Sequence, residues 1–68
     1  MDFKISLKAA RVNANLTQGD VAKHLHKNKQ TVVNWEAGRT PVDYVNLNAM
    51  CSLYKIDPRY IFLPCKLG

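Results

Sequence analysis

The sequence predicts an all-α fold, a compact bundle of five helices in one domain over residues 1–68, with a short tail from Pro64 to Gly68. Three observations predict it. Apolar residues recur at helical spacing almost throughout the chain. Gly and Pro fall at the breaks between these periods rather than inside them. No stretch shows the strict alternation of a half-buried strand. At 68 residues the chain has room for one domain. A domain this small buries only roughly 60% of its unfolded surface, so its stability is expected to be marginal and self-association would help it.

The first helix is expected over Phe3–Ala14, with Phe3, Leu7, Ala10 and Arg11 inward. Asn15 is suited to end it, because Asn tolerates positive φ better than most residues. The second helix is expected over Gln18–Leu25. Thr17 is its N-cap, and Asp20 three residues on can answer as a short capping box while favouring the positive end of the helix dipole. His26 and Lys27 make a tight turn. Asn28 then caps a third helix over Lys29–Ala37, which Gly38 stops. Val32 and Trp35 face inward on that helix, and Lys29, Gln30, Val33 and Asn34 lie on the opposite side. After the loop Arg39-Thr40-Pro41, Asp43 caps a fourth helix over Tyr44–Tyr54, with Tyr44, Leu47, Met50, Cys51 and Tyr54 on its apolar stripe. Asp57 followed by Pro58 reads as an N-cap and first helical residue, so a short fifth helix runs to Phe62 before Pro64 ends it.

Ten Lys and Arg against five Asp and Glu give a net charge of +5. Such charge density favours an acidic partner, nucleic acid first and a membrane surface second. The N-terminus carries no signal-like apolar run, and no stretch approaches the ~18 apolar residues of a membrane span. Cys51 lies on an amphipathic stripe, Cys65 lies in the tail, and there is no CxxC pair, so a reducing cytoplasmic location is expected.

The residues that carry chemistry cluster around the third helix. Gln30 and Asn34 can pair with adenine, Lys29 can donate to guanine, and Val33 can touch a thymine methyl; Asn28 can cap and also reach inward. These five are the base-contacting candidates, against the alternative of an ordinary solvated face. Gln18 stands at the start of the second helix, where free backbone N–H groups favour an anion. Lys27, Arg39 and Thr40 bracket the third helix in sequence, so these four are the phosphate-contacting candidates. Arg11 falls on the inward side of its helix and Glu36 on the inner edge of the third. A buried charge needs a partner, so these two are expected to pair. His24 and His26 do not share a helix face, and no further ligands stand at metal spacing, so no metal is expected. Ser6, Ser52 and the acids form no triad, and there is no Gly-rich phosphate loop, so neither an enzyme, a cofactor nor a small-molecule ligand is expected. Trp35 and Tyr54 fit the core rather than a base-stacking platform.

Three further stretches combine with these: Leu7-Lys8-Ala9-Ala10-Arg11, then Leu16-Thr17-Gln18 with Val21-Ala22, then Thr31 to Pro41 with Trp35-Glu36-Ala37-Gly38-Arg39-Thr40-Pro41. In this pattern the chain resembles the phage-repressor-like helix-turn-helix family, also called Cro/C1-type or xenobiotic-response-element type, over Leu7 to Phe62. The resemblance implies a lambda-repressor-like five-helix domain that binds operator DNA, usually as a two-fold dimer on an inverted repeat. It implies that Gln18 is a phosphate-binding glutamine, that Asn28, Lys29, Gln30, Val33 and Asn34 are base-facing, that Arg39 and Thr40 contact phosphate, and that Arg11 and Glu36 pair. The chain departs from the family's pattern at His26, where Gly is usual, at Lys27, where an apolar residue is usual, and at Asn15 and Gly19. His26 must either take positive φ or the turn is built differently.

The expected function is therefore a sequence-specific DNA-binding transcriptional regulator. Having no effector or protease segment within its 68 residues, the chain reads as a small self-sufficient repressor. Homodimerisation is expected through the fifth helix and tail, from Ile61, Phe62 and Leu63 onward, because that segment is apolar and lies beyond the DNA-facing elements. The alternative is a protein-binding adaptor or antitoxin that keeps the fold, with the stretch Tyr60–Pro64 as its partner surface.

Overall fold

Side chains written into the sequence set where the helices begin. The computed structural model describes residues 3–64. In chain order it holds β1 (Ile5–Ser6), α1 (Leu7–Asn13), α2 (Gln18–His24), α3 (Lys29–Ala37), α4 (Tyr44–Tyr54), a single 3-10 turn (Pro58–Tyr60) and β2 (Ile61–Phe62). The Ser6 hydroxyl accepts the Ala9 N–H at 3.0 Å and starts α1. Thr17 and Asp20 form the full capping box of α2: Asp20 N–H donates to Thr17 Oγ1 at 3.0 Å, and Thr17 N–H donates to Asp20 Oδ2 at 2.9 Å. Those bonds hold the Asp20 carboxyl below its ordinary pKa, the Thr17 backbone N–H contributing most. Asn28 Oδ1 accepts the Thr31 N–H at 2.8 Å and starts α3.

The helices end alike. Leu16 N–H donates to Arg11 O, Lys27 to Ala22 O, Arg39 to Asn34 O and Ile56 to Cys51 O, each bond spanning five residues. The residue before each donor is left-handed: Asn15 at φ 60°, His26 at 56°, Gly38 at 78° and Lys55 at 56°. This is the geometry that satisfies the last free carbonyls of a helix. Gly38 is also pressed from outside, since a Cβ there would lie 3.0 Å from the Pro64 Cβ.

One core joins the four helices and the strand pair. Leu7 and Ala10 of α1, Val21 and Ala22 of α2, Val32 and Trp35 of α3, and Leu47, Met50, Cys51 and Tyr54 of α4 are buried together with Val42 and Ile61. Leu7, Met50, Val21 and Val32 are fully enclosed. Burial also pushes the Cys51 thiol above its ordinary pKa.

Four expectations are corrected. The fold has four helices and a 3-10 turn among the described residues, not five helices. Pro58 and Pro64 leave too little chain between them for a helical nucleus, and a residue before Pro avoids the α region. The β-favouring Ile61 and Phe62 extend instead and pair in parallel with β1, Ile5 opposite Ile61 and Ser6 opposite Phe62. The first helix begins at Leu7 rather than Phe3, because Ser6 caps it and Ile5 is used by the strand pair; Phe3 is exposed rather than inward. Tyr44 sits in the first turn of α4 and is 58% exposed, off the apolar stripe. Asp43 occupies the N-cap position of α4, but its carboxylate takes the Asn46 amide instead of a backbone N–H. The tail residues 65–68, Cys65 among them, lie outside the described residues.

Candidate nucleic-acid interface

The α2–α3 pair is fixed from behind by apolar packing and by one buried ionic knot. Arg11 Nε donates to Glu36 Oε2 at 2.8 Å, and Arg11 Nη2 reaches Glu36 Oε1 at 3.3 Å. Their side chains are only 10% and 6% exposed. Two further bonds complete the knot: Arg11 Nη1 donates to the Leu16 carbonyl at 2.9 Å, and Gln18 Nε2 donates to Glu36 Oε1 at 3.0 Å. One carboxylate on α3 is thereby tied to α1, and also to the first residue of α2, with the guanidinium anchored to the turn between them. The pairing expected of Arg11 and Glu36 is present.

His26 makes the turn between α2 and α3 in the left-handed conformation, at φ 56°. A residue with a Cβ therefore does here what Gly does at little steric cost. Lys27 follows it and is exposed, not buried.

On the far side of α3 from Val32 and Trp35, Lys29 and Gln30 are exposed, while Val33 and Asn34 are half-buried. Asn28, just ahead of them, is exposed and spends its oxygen on Thr31, accepting the Thr31 N–H at 2.8 Å and the Thr31 hydroxyl at 2.9 Å. Gln30 Nε2 donates to Asn34 Oδ1 at 3.0 Å, and Arg39 Nη1 approaches the same oxygen at 3.4 Å. The five base-facing candidates thus lie together on the first two turns of α3 and its cap. Lys27, Arg39 and Thr40 are exposed on its two flanks. Among the described residues the ion pairs are Arg11–Glu36 and Arg59–Asp57, so Lys27, Lys29 and Arg39 stand here without an acidic partner.

Gln18 is half-buried and already engaged by Glu36, a bond for which the sequence carries no signal. The filling of the Asn34 oxygen was equally invisible, although i, i+4 spacing allows it. His24 and His26 join no cluster: among the described residues no three His, Cys, Asp or Glu side chains come together as a metal site would need. No helix among them is long and apolar enough to cross a membrane.

No curated protein and no solved structure shows a significant match to the chain. A family profile described as helix-turn-helix matches residues 7–61, from the first residue of α1 to the first of β2. A match over so much of the sequence, on the pair of helices that the ionic knot holds together, makes this chain a member of the Cro/C1-type helix-turn-helix family, whose domain implies DNA binding.

Proposed function

We propose that the chain is a sequence-specific transcriptional regulator, a small cytoplasmic repressor that binds an inverted-repeat operator as a homodimer with α3 in the major groove. The observation that carries this is the state of α3. Its inner face is held by Val32, Trp35 and the Arg11–Glu36–Gln18 knot, and its outer face offers Lys29 and Gln30 to solvent between Lys27 and Arg39, which have no acidic partner among the described residues. A rigid rod with donors on its first turns and cations at its flanks suits base edges and phosphates together. Asn28, Lys29, Gln30, Val33 and Asn34 form the base-facing set. Gln18, Lys27, Arg39 and Thr40 form the phosphate-facing set. The family is typically non-enzymatic.

Among the described residues of the proposed dimer segment, Ile61 is only 5% exposed and belongs to the core, Leu63 packs partly against that core, and Phe62, 58% exposed, is the side chain proposed to meet a second copy. Selection from randomised duplexes tests the whole reading. It should enrich a two-fold-symmetric sequence bound with nanomolar-scale affinity, weakening steeply as salt rises. Enrichment of no sequence, with binding indifferent to salt, would end it. The second reading, an adaptor or antitoxin, draws on exposed Tyr44 and Val45 at the start of α4. One stoichiometric protein partner, with no operator, would favour it.

A further inference from the structure

Resting on the DNA-binding reading above, we infer that Gln30 is the adenine reader of α3 and that Asn34 is a positioning residue for it, so that each half-site carries an adenine opposite Gln30. A carboxamide reads adenine with two bonds at once: its oxygen accepts from the N6 amino group while its N–H donates to N7. That requires a free oxygen and a free hydrogen on one side chain. Three carboxamides lie on this face, and two of their oxygens are taken. Asn28 Oδ1 accepts twice from Thr31, at 2.8 and 2.9 Å. Asn34 Oδ1 accepts from Gln30 at 3.0 Å and from Arg39 at 3.4 Å. A carbonyl oxygen has two lone pairs, so both residues are left as donors only. Lys29 is a donor in any case. The oxygen of Gln30 remains, and its amide has given one hydrogen to Asn34 and keeps the other.

The same bond settles orientation. Gln30 and Asn34 are four residues apart and share a face of α3. With Nε2 tied toward Asn34, the Gln30 amide cannot exchange its oxygen and nitrogen without losing that bond. Asn34 is held in turn by Arg39 from the loop behind. A long side chain fixed before binding gives up less freedom when it binds. Asn34 therefore acts through Gln30, and the oxygen of its half-buried amide is spent on support.

The experiment is a position-resolved selection from randomised duplexes with the full chain and three variants, Gln30→Ala, Asn34→Ala and Asn34→Asp, each checked by thermal unfolding. The unaltered chain should favour adenine at one position of the half-site by roughly tenfold or more. Gln30→Ala should remove that preference, and Asn34→Ala should weaken it several-fold at the same position. Asn34→Asp keeps the acceptors for Gln30 and Arg39 but has no N–H to offer a base. It should hold the preference within about threefold, while its charge weakens binding to all sequences alike. The inference is overturned if Asn34→Ala relaxes a different base pair from Gln30→Ala, or if Asn34→Asp loses the adenine preference as fully as Gln30→Ala. An unaltered chain that selects nothing removes the DNA-binding reading as well; clean selection with either of those variant results removes this inference alone.

Discussion

Residue by residue, the buried polar groups divide into a satisfied set and one orphan. The Arg11–Glu36 pair is desolvated, but with its bonds to Leu16 O and Gln18 every nitrogen of the guanidinium and both oxygens of the carboxylate have a partner. Such a pair contributes little net stability, yet breaking it strands a charge. Glu36→Ala should therefore cost about 3–5 kcal/mol in a urea melt, enough to unfold most of a small domain. The double variant Arg11→Met with Glu36→Leu should be less destabilised than either single loss, because no lone charge remains. Equal or greater loss in the double variant would mean that the pair itself, rather than its compensation, holds the fold. The orphan is Tyr54, whose buried hydroxyl has no hydrogen-bond partner among the described residues. Burial pushes its pKa up to about 12, with the Glu36 carboxylate adding to the shift and Arg11 opposing it. The folded pKa lies above the unfolded one, so the neutral phenol is the form the fold favours. This contribution is complete below pH 10 and is lost as pH rises from 10 toward 12. Tyr54→Phe should raise stability by about 1 kcal/mol at neutral pH. It should also flatten the fall between pH 10 and 12 relative to the unaltered chain, read from thermal melts across that range.

Among the elements, helix ends carry the most information and some strain. Asn15, His26 and Lys55 are all left-handed without being Gly, a conformation that costs an L-residue roughly 1–2 kcal/mol before the extra chain entropy of Gly is set against it. His26→Gly and Lys55→Gly should each stabilise the domain by about 0.5–1 kcal/mol, visible as melting points a few degrees higher. A fall in either melting point would mean that the side chain's own contacts outweigh the backbone strain. The starts of α2, α3 and α4 were legible in the sequence because Thr17, Asn28 and Asp43 stand at them, and the end of α3 because Gly38 does. Asn15 was legible by its residue type. His26 stood open between two turn geometries, and Lys55 gave no sign, because a Lys after a helical stripe usually continues it. The largest misreading was at the fifth helix. Asp57-Pro58 marks where a turn begins, not how far it runs, and what pulls Ile61 and Phe62 straight is Ile5 and Ser6 at the other end of the chain. Pairing between distant segments leaves no local trace. In the site, the Arg11–Glu36 pair followed from periodicity, whereas the Gln18–Glu36 and Gln30–Asn34 bonds depend on rotamers that spacing alone does not select.

At the scale of the whole molecule, the net charge of +5 becomes useful only through where its members lie. Arg11 and Arg59 are paired with acids, while Lys27, Lys29 and Arg39 surround the outer face of α3 with no acidic partner among the described residues. Each cation that meets a phosphate releases counterions, and the logarithm of the affinity falls with the logarithm of salt by about 0.9 per contact. That arithmetic can count the copies of this chain on an operator. Lys27 is exposed and has no acidic partner among the described residues, so under the proposed reading Lys27→Gln removes one phosphate contact per bound copy and little else. In a two-fold dimer the slope should become shallower by about 2, and in a monomer by about 1. The dimer predicts the larger change, together with a weakening shared by all sequences rather than a shift in the preferred one. A change near 1 on the same duplex would leave a single copy at work and remove Phe62 from its proposed part in pairing. No change at all would mean that Lys27 faces solvent in the complex and that the His26 turn holds α3 at an angle that keeps this flank off the phosphates.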